Sequence, residues 1–179
     1  INMAVYQGDA AFKRIEKIIN KEIKVKEIKG SPVLKITNSE IKFKKVNFKY
    51  DTTNEKAIKD VSFNIDGSSM VAFVGHSGAG KSTIINLLPR FYDPQDGIIE
   101  IDGQNIKDVS LSSLRKNLSM VSQDVILFDD TIKNNITYAN SKATEEEIIS
   151  ACKFAAADEF IRKLPSGYST LIGENGVRL

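Results

Sequence analysis

The most constraining feature of the sequence is a nine-residue run that is rich in glycine and carries a single lysine. It reads Gly75-His76-Ser77-Gly78-Ala79-Gly80-Lys81-Ser82-Thr83 and fits the pattern G-x-x-x-x-G-K-[ST]. Small residues let the backbone N–H groups of such a loop point inward and hold phosphate oxygens. Lys81 adds a positive charge for the β- and γ-phosphates, and the Ser82 hydroxyl is placed to bind Mg²⁺. The run therefore predicts a site for a nucleoside triphosphate and magnesium.

The sequence on either side of this loop supports the prediction. Residues 70–74 form a short apolar run that is typical of a strand buried on both faces. Residues 83–88 have the one-sided apolar pattern of a helix. A strand, a glycine loop and a helix follow in the order that the motif requires, and the positive end of the helix would face the bound anion.

Composition excludes few classes of protein. The chain has 179 residues and a formal net charge of +2, which by itself is too small to indicate binding to nucleic acid. Cys152 is the only cysteine, so an internal disulfide is impossible, and its place in an apolar stripe predicts a buried, inert side chain. The sequence has no apolar stretch of membrane-spanning length and does not open like a signal peptide, and we interpret it as a piece of something longer.

Two patterns of secondary structure succeed one another along the chain. Residues 9–29 predict an amphipathic helix, which Gly30-Ser31-Pro32 ends. Its cationic face fits either a solvated linker or a segment beside anionic lipid head groups. The remaining predictions are strands at 33–37, 41–50 and 57–65, a hairpin turning at Asp102-Gly103, a helix at 110–117, a buried strand at 118–122, a helix opened by a capping box at 144–147 and a helical segment at 158–164.

Five runs resemble, in the same order, parts of the nucleotide-binding domain of ABC transporters. They are VNFKY at 46–50, AIKDVSF at 57–63, RFYDPQDG at 90–97, VSQD at 121–124 and TLIGENG at 170–176. The last resembles the X-loop of exporter-type members, and residues 1–30 resemble the helix that leaves the transmembrane domain of such exporters. The resemblance extends from about residue 40 to the last residue.

The resemblance implies an α/β fold with a P-loop NTPase (RecA-like) core, an antiparallel β-subdomain and the start of an α-helical subdomain, incomplete within these residues. Three segments are expected. Residues 1–30 would be a linker helix following a transmembrane domain, and residues 31–142 an ATP-binding core with its β-subdomain. Residues 143–179 would be a partial helical subdomain ending at the X-loop.

The resemblance also implies roles for residues that bind the nucleotide. Tyr50 matches the aromatic residue that stacks on adenine, and Gly75 to Thr83 match the phosphate loop. His76 belongs to the loop by position, but the family's switch histidine lies elsewhere. We therefore expect His76 to have no catalytic role.

Further roles concern the reaction and its coupling to transport. Gln123 matches the glutamine that reaches Mg²⁺ and the attacking water. Lys81 and Gln123 are therefore the expected catalytic residues, and Ser82 and Gln123 the expected metal ligands. Glu174 matches the X-loop acid that contacts the membrane domain.

The expected function is an ABC-type transport ATPase on the cytoplasmic face of a plasma or inner membrane. Its partners would be the transmembrane domain of the same polypeptide and a second nucleotide-binding domain, in a homodimer, with no nucleic acid. The 179 residues contain neither the LSGGQ signature nor an apolar strand ending in Asp-Glu. We therefore expect this segment alone to bind ATP poorly, to hydrolyse almost none, and to have low stability or to self-associate.

Alternatives remain open at this point. The segment could be a non-catalytic nucleotide-binding or self-associating module, or part of a soluble ABC ATPase of nucleic-acid repair or translation. A P-loop GTPase is disfavoured, since the guanine-reading pattern Asn-Lys-x-Asp is missing from the sequence. Specificity for the transported substrate would reside in membrane helices.

Overall fold

The computed structural model describes residues 2–20, 22–123, 125–173 and 176. The chain divides into two compact units, Ile1–Ser119 and Met120–Leu179, and each is described by itself. None of the helices in the described ranges is both long enough and apolar enough to cross a bilayer. The division into three functional segments stays a prediction.

Among the described residues, the strands lie between residues 41 and 105, and most of the helices follow them. In chain order they are α1 (Asn2–Ile19), β1 (Ile41–Phe48), β2 (Ile58–Ile65), α2 (Lys81–Leu87), β3 (Asp96–Ile101), β4 (Gln104–Asn105), α3 (Leu111–Lys116), α4 (Ile132–Thr137), α5 (Glu145–Phe154), α6 (Asp158–Lys163) and a 3₁₀ turn (Gly167–Ser169).

The first unit is built on an antiparallel sheet whose strand order is β2-β1-β3-β4. The central strand β1 pairs with β2 on one side and with β3 on the other. Phe43, Val46 and Phe48 of β1 are buried in one cluster with Ile84 and Leu87 of α2. Burial of a large apolar side chain contributes about 1.5–3 kcal/mol. The sheet therefore holds in place the helix that follows the glycine loop, and the predicted antiparallel β-subdomain is confirmed.

The turn between β3 and β4 also secures the chain that leads into β1. Asp102 and Gly103 both have positive φ, 50° and 73°, as an Asp-Gly hairpin turn requires. The Asp102 carboxylate accepts hydrogen bonds from the backbone N–H groups of Thr37, Asn38, Ser39 and Glu40, at 2.7, 3.2, 3.1 and 2.9 Å. These bonds, above all that from Thr37, lower the pKa of Asp102 to about 2.

The depressed pKa predicts how stability changes with pH. Because the folded pKa of Asp102 lies below the ordinary aspartate value of about 3.9, its contribution is complete above that value and is lost as pH falls towards 2. Asp102→Asn should melt at a lower temperature than the wild type at pH 7, and the difference should shrink between pH 4 and pH 2. Circular dichroism melts measure it. Asp108→Asn, at an exposed side chain, is the control, and an equal difference from the wild type for both variants would contradict the assignment.

A buried arginine organises the loop after α2. The helix ends at Leu87, as the following Pro89 predicts. Arg90 has a φ of 52° and is 2% exposed. Its guanidinium donates to both carboxylate oxygens of Asp93, at 2.8 and 3.0 Å, and to the backbone carbonyls of Ile106 and Lys26, each at 3.3 Å. Removing one partner of such a buried pair typically costs about 3–5 kcal/mol. Arg90 therefore joins the end of α2 to the residue that follows β4 and to the N-terminal segment.

Three of the predicted strands are wrong. Residues 33–37, 70–74 and 118–122 have no strand structure. Met70 is 100% exposed and Val121 is 92% exposed, although both were predicted to be buried. A parallel strand is buried only when strands lie beside it and helices cover it. Within the described part of the chain, the sheet comprises β1 to β4 alone, so neither apolar run has such neighbours.

The N-terminal helix is also shorter than predicted. α1 ends at Ile19, and residues 22–29 are not helical, whereas the prediction extended the helix to residue 29. The sequence from 22 to 29, EIKVKEIK, places β-branched residues at short intervals, which lowers helix propensity.

Two other local predictions, both in the second unit, are confirmed. Thr144 and Glu147 form the predicted capping box at the start of α5. Cys152 is buried with Ile148, Ile161 and other apolar side chains, as its place on the apolar stripe predicted.

A buried polar group joins α6 to the 3₁₀ turn. The Tyr168 hydroxyl donates to Asp158 at 2.7 Å, and Arg162 Nε donates to the same carboxylate at 2.9 Å. The bond from Tyr168 is the main cause that lowers the pKa of Asp158. Burial and that same bond raise the pKa of Tyr168.

Candidate functional site

The glycine loop folds back on itself between β2 and α2. Gly75, Gly78 and Gly80 all have positive φ, at 157°, 80° and 86°, and the Ala79 N–H donates to the His76 carbonyl at 3.2 Å. Side chains other than glycine adopt the left-handed values only at a cost. Gly80 caps α2 in this conformation. Since it has no side chain, a ligand can take the place of a capping side chain at the first N–H groups of the helix.

Close packing requires glycine at residue 80. A Cβ atom added there would lie 2.6 Å from the carbonyl oxygen of Ala57 and 2.9 Å from Cδ1 of Ile58. Ile58 is the first residue of β2 and Ala57 directly precedes it, so the sheet determines the position of both neighbours. The base of the loop is therefore pressed directly against the β-subdomain.

Lys81 lies at the centre of the loop. Its ammonium donates to the carbonyl oxygens of Gly75 and His76, each at 2.8 Å. The loop thus surrounds one positive charge with main-chain dipoles. Two hydroxyl residues follow in the first turn of α2: Ser82, which is exposed, and Thr83, which is buried. Concentrated positive charge and small donors are the chemistry that a polyphosphate needs.

The side chain of His76 is engaged within the loop. In the tautomer with a proton on Nδ1, that nitrogen donates to the Ser77 carbonyl at 2.8 Å. The side chain is exposed, and the absence of a catalytic role remains a prediction.

Tyr50 lies beside the loop's helix. Its hydroxyl donates to Oγ1 of Thr83 at 3.1 Å. Its ring meets those of Phe48 and Tyr92 nearly at right angles, with centroid distances of 4.8 and 5.1 Å. The structure therefore brings together the phosphate loop and the aromatic residue expected to stack on adenine. Sequence reasoning missed Tyr92, although the run RFYDP in which it lies stood out.

The remaining predicted residues lie in the second unit or outside the described residues. Gln123 is exposed and belongs to the unit 120–179. Glu174 lies outside the described residues. Among the ranges that the structure describes, no three His, Cys, Asp or Glu residues are grouped as metal ligands. The prediction of magnesium thus depends on Ser82 and Gln123.

The second unit carries an exposed apolar groove that the sequence did not predict. The Phe128 ring stacks on Tyr138 at a centroid distance of 4.5 Å. The side chain of Asn135 fixes the backbone of Phe128, accepting its N–H at 2.8 Å and donating to its carbonyl at 3.0 Å. Other lining residues are Val125, Ile126, Leu127 and Phe160. Large apolar side chains that are exposed together in a groove are typical of a surface that binds a partner.

Comparisons with known proteins agree with this arrangement. The family model described as ABC transporter matches residues 58–177. The chain is 44% identical over 180 residues to an ATP-dependent lipid A-core flippase of Coxiella burnetii, covering 100% of this chain and 30% of that protein. It is 45% identical over 162 residues to a putative multidrug export ATP-binding/permease protein of Staphylococcus aureus, covering 90% of this chain and 28% of that protein.

A solved structure gives the same result. It is a bacterial Atm1-family ABC exporter with ATP bound, which matches with a TM-score of 0.87 and 42% identity over 98% of this chain and 30% of that one. The chain therefore spans about a third of the length of the relatives it matches. With a matching family model over most of its residues and a glycine loop folded around Lys81, this chain belongs to the ABC transporter family.

Proposed function

We propose that this chain is the ATP-binding part of an ABC exporter, which couples the binding and hydrolysis of ATP to the export of a substrate across a membrane. The observation that carries the proposal is the loop that holds the Lys81 ammonium on two carbonyl oxygens. Without nucleotide, those two bonds keep the ammonium within the loop. When ATP binds, its β- and γ-phosphate oxygens are stronger acceptors and replace the two carbonyl oxygens as partners of the ammonium. The names of the relatives, a flippase and an export protein, support the direction of transport.

Different residues of the site bind different parts of the nucleotide. The backbone N–H groups from Gly75 to Thr83 hold the phosphates, and Lys81 neutralises the charge that develops during phosphoryl transfer. Tyr50 stacks on adenine, an interaction worth about 1–3 kcal/mol for one base on one ring.

The side-chain oxygens of Ser82 and Gln123 suit Mg²⁺, and Ser82 is an exposed residue in the first turn of α2. Held by these residues, Mg²⁺ would supply positive charge that offsets the charge of the phosphates. Gln123 would also orient the attacking water.

The partners follow from the family's architecture. We place this chain on the cytoplasmic face of a membrane, joined to a transmembrane domain in the same polypeptide and paired with a second copy of itself. The name ATP-binding/permease of one relative supports the joined arrangement. The exposed groove around Phe128 and Tyr138 has the apolar character that a helix of the membrane domain requires.

The 179 residues alone should turn over almost no ATP. They lack the signature motif and the strand ending in Asp-Glu, whose charges and donors complete the site. Phosphoryl transfer depends on all of these parts being positioned together.

One experiment tests the proposal. The full-length protein that contains this sequence is reconstituted in proteoliposomes, and ATP hydrolysis is measured together with the movement of a fluorescent lipid and of a fluorescent drug. We expect hydrolysis that requires Mg²⁺ and ATP-dependent movement of at least one probe. Residues 1–179, assayed in parallel, should stay near background. Hydrolysis without movement of either probe would contradict export, and rapid turnover by the segment would contradict its dependence on the remaining parts.

A further inference from the structure

Tyr92 makes ring contacts that none of the roles described above explains. Its ring lies 5.1 Å from that of Tyr50 at an angle of 88° and 5.4 Å from that of Phe48 at 49°. Phe48 and Tyr50 meet at 4.8 Å and 85°. The three rings therefore form one cluster in which each touches the other two. Edge-to-face packing of this kind fixes the orientation of aromatic rings as well as their position.

The cluster lies where the chain has left regular structure. β1 ends at Phe48, so Tyr50 lies in an irregular segment. The backbone of that segment does little to fix the orientation of the Tyr50 ring. Three contacts supply that orientation: the rings of Phe48 and Tyr92, and the hydrogen bond from the Tyr50 hydroxyl to Thr83. Of these, Phe48 is part of the buried core, and Thr83 belongs to the phosphate-loop helix. Tyr92 thus provides the support on the remaining side.

The backbone around Tyr92 is held by hydrogen bonds, so the Tyr92 ring can support the Tyr50 ring. Arg90 and Asp93 on either side of it are joined by two hydrogen bonds, and Arg90 also donates to the carbonyl oxygens of Ile106, which follows β4, and of Lys26 in the N-terminal segment. The Tyr92 side chain is itself 41% exposed, so it contributes little as a core residue. The half-exposed ring of Tyr92 is therefore attached to a firmly held backbone, and it packs against the rings of Tyr50 and Phe48.

We propose that Tyr92 is a positioning residue for base recognition: its ring holds Tyr50 in the orientation in which Tyr50 stacks on the purine of ATP. This inference depends on the role proposed above for Tyr50. It predicts that Tyr92 acts on the base of the nucleotide, through Tyr50, and leaves the phosphates unaffected.

The test compares ligands with and without a base on the full-length protein. Dissociation constants for ATP and for inorganic tripolyphosphate, both with Mg²⁺, are measured by calorimetry for the wild type, Tyr92→Leu and Tyr92→Phe. Loss of an aromatic pair of this kind should weaken ATP binding roughly 2- to 12-fold in Tyr92→Leu. The KM for ATP should rise with kcat unchanged, tripolyphosphate should bind as in the wild type, and Tyr92→Phe should restore ATP binding.

Phe91 supplies the matched control. It is the neighbouring aromatic residue, it is 45% exposed, and its ring faces the Arg115 guanidinium at 5.6 Å. Phe91→Leu should leave the affinity for ATP unchanged. An equal effect of Phe91→Leu and Tyr92→Leu would show a general loss of surface packing and would overturn the proposal.

A double-mutant cycle separates this inference from the role of Tyr50. Tyr50→Ala should weaken ATP binding, and adding Tyr92→Leu should then cause no further loss. An unchanged affinity in Tyr50→Ala would refute the adenine role itself. If Tyr50→Ala weakens binding but Tyr92→Leu does not, or if Tyr92→Leu acts equally in the Tyr50→Ala background or on tripolyphosphate, only the positioning role of Tyr92 is refuted.

Discussion

Replacing Lys81 with alanine in the full-length protein should lower kcat for ATP hydrolysis about 100-fold or more and should abolish transport. Lys81 is the cation that the loop encloses, with its ammonium 2.8 Å from two loop carbonyl oxygens. Its removal leaves the β- and γ-phosphates facing main-chain groups without the charge that offsets theirs. ATP affinity should fall as well, because the charge acts on both the bound nucleotide and the transition state. Phosphate release and fluorescent-nucleotide titration measure the two effects.

Lys59 offers a control for the loss of a lysine as such. It lies in β2, its side chain is exposed, and it has no part in the loop. Lys59→Ala should hydrolyse ATP and drive transport as the wild type does. Substantial turnover and transport by Lys81→Ala would show that the loop does not hold the reacting phosphates, and the proposed site would have to be abandoned.

Gly80→Ala should be the more damaging of two matched changes in the loop. Gly78 and Gly80 have nearly the same positive φ, 80° and 86°, and an alanine at either costs about 1–2 kcal/mol in that conformation. At Gly78 the added Cβ meets nothing within 4 Å. At Gly80 it would lie 2.6 Å from a backbone oxygen of Ala57, which cannot rotate away, and such overpacking adds about 1–3 kcal/mol.

Denaturant unfolding of both variants measures the difference. We expect Gly80→Ala to lose roughly twice the stability lost by Gly78→Ala. Because the displaced atoms form the base of the phosphate loop, Gly80→Ala should also bind ATP more weakly than the wild type. Equal losses of stability in the two variants would mean that β2 yields to the added methyl group, and that the loop does not depend on its contact with Ala57.

Local features were predictable because their causes lie within a few residues. The capping box of Thr144 and Glu147, the end of α2 before Pro89 and the Asp-Gly turn all follow from side chains and backbone constraints of immediate neighbours. The phosphate loop was predictable for the same reason, because its glycines and Lys81 are contiguous.

The errors arose where burial depends on distant residues. An apolar run such as residues 70–74 predicts a buried strand only if other strands lie beside it, and nothing in the run itself says whether they do. α1 ended early because the pattern of residues 22–29 suits a helix face in spacing but not in propensity.

The family and the phosphate loop could be inferred from linear motifs, since the residues of each motif are contiguous and their spacing has one well-known physical use. The long-range contacts became visible in the tertiary structure alone: Tyr92 against Tyr50, the Arg90 guanidinium on carbonyls from Lys26 and Ile106, and the Asp102 carboxylate on the N–H groups of residues 37–40. These contacts join residues that are 16 to 65 positions apart in the chain. Their partners are selected by how the sheet brings segments together, and a linear pattern does not contain that information.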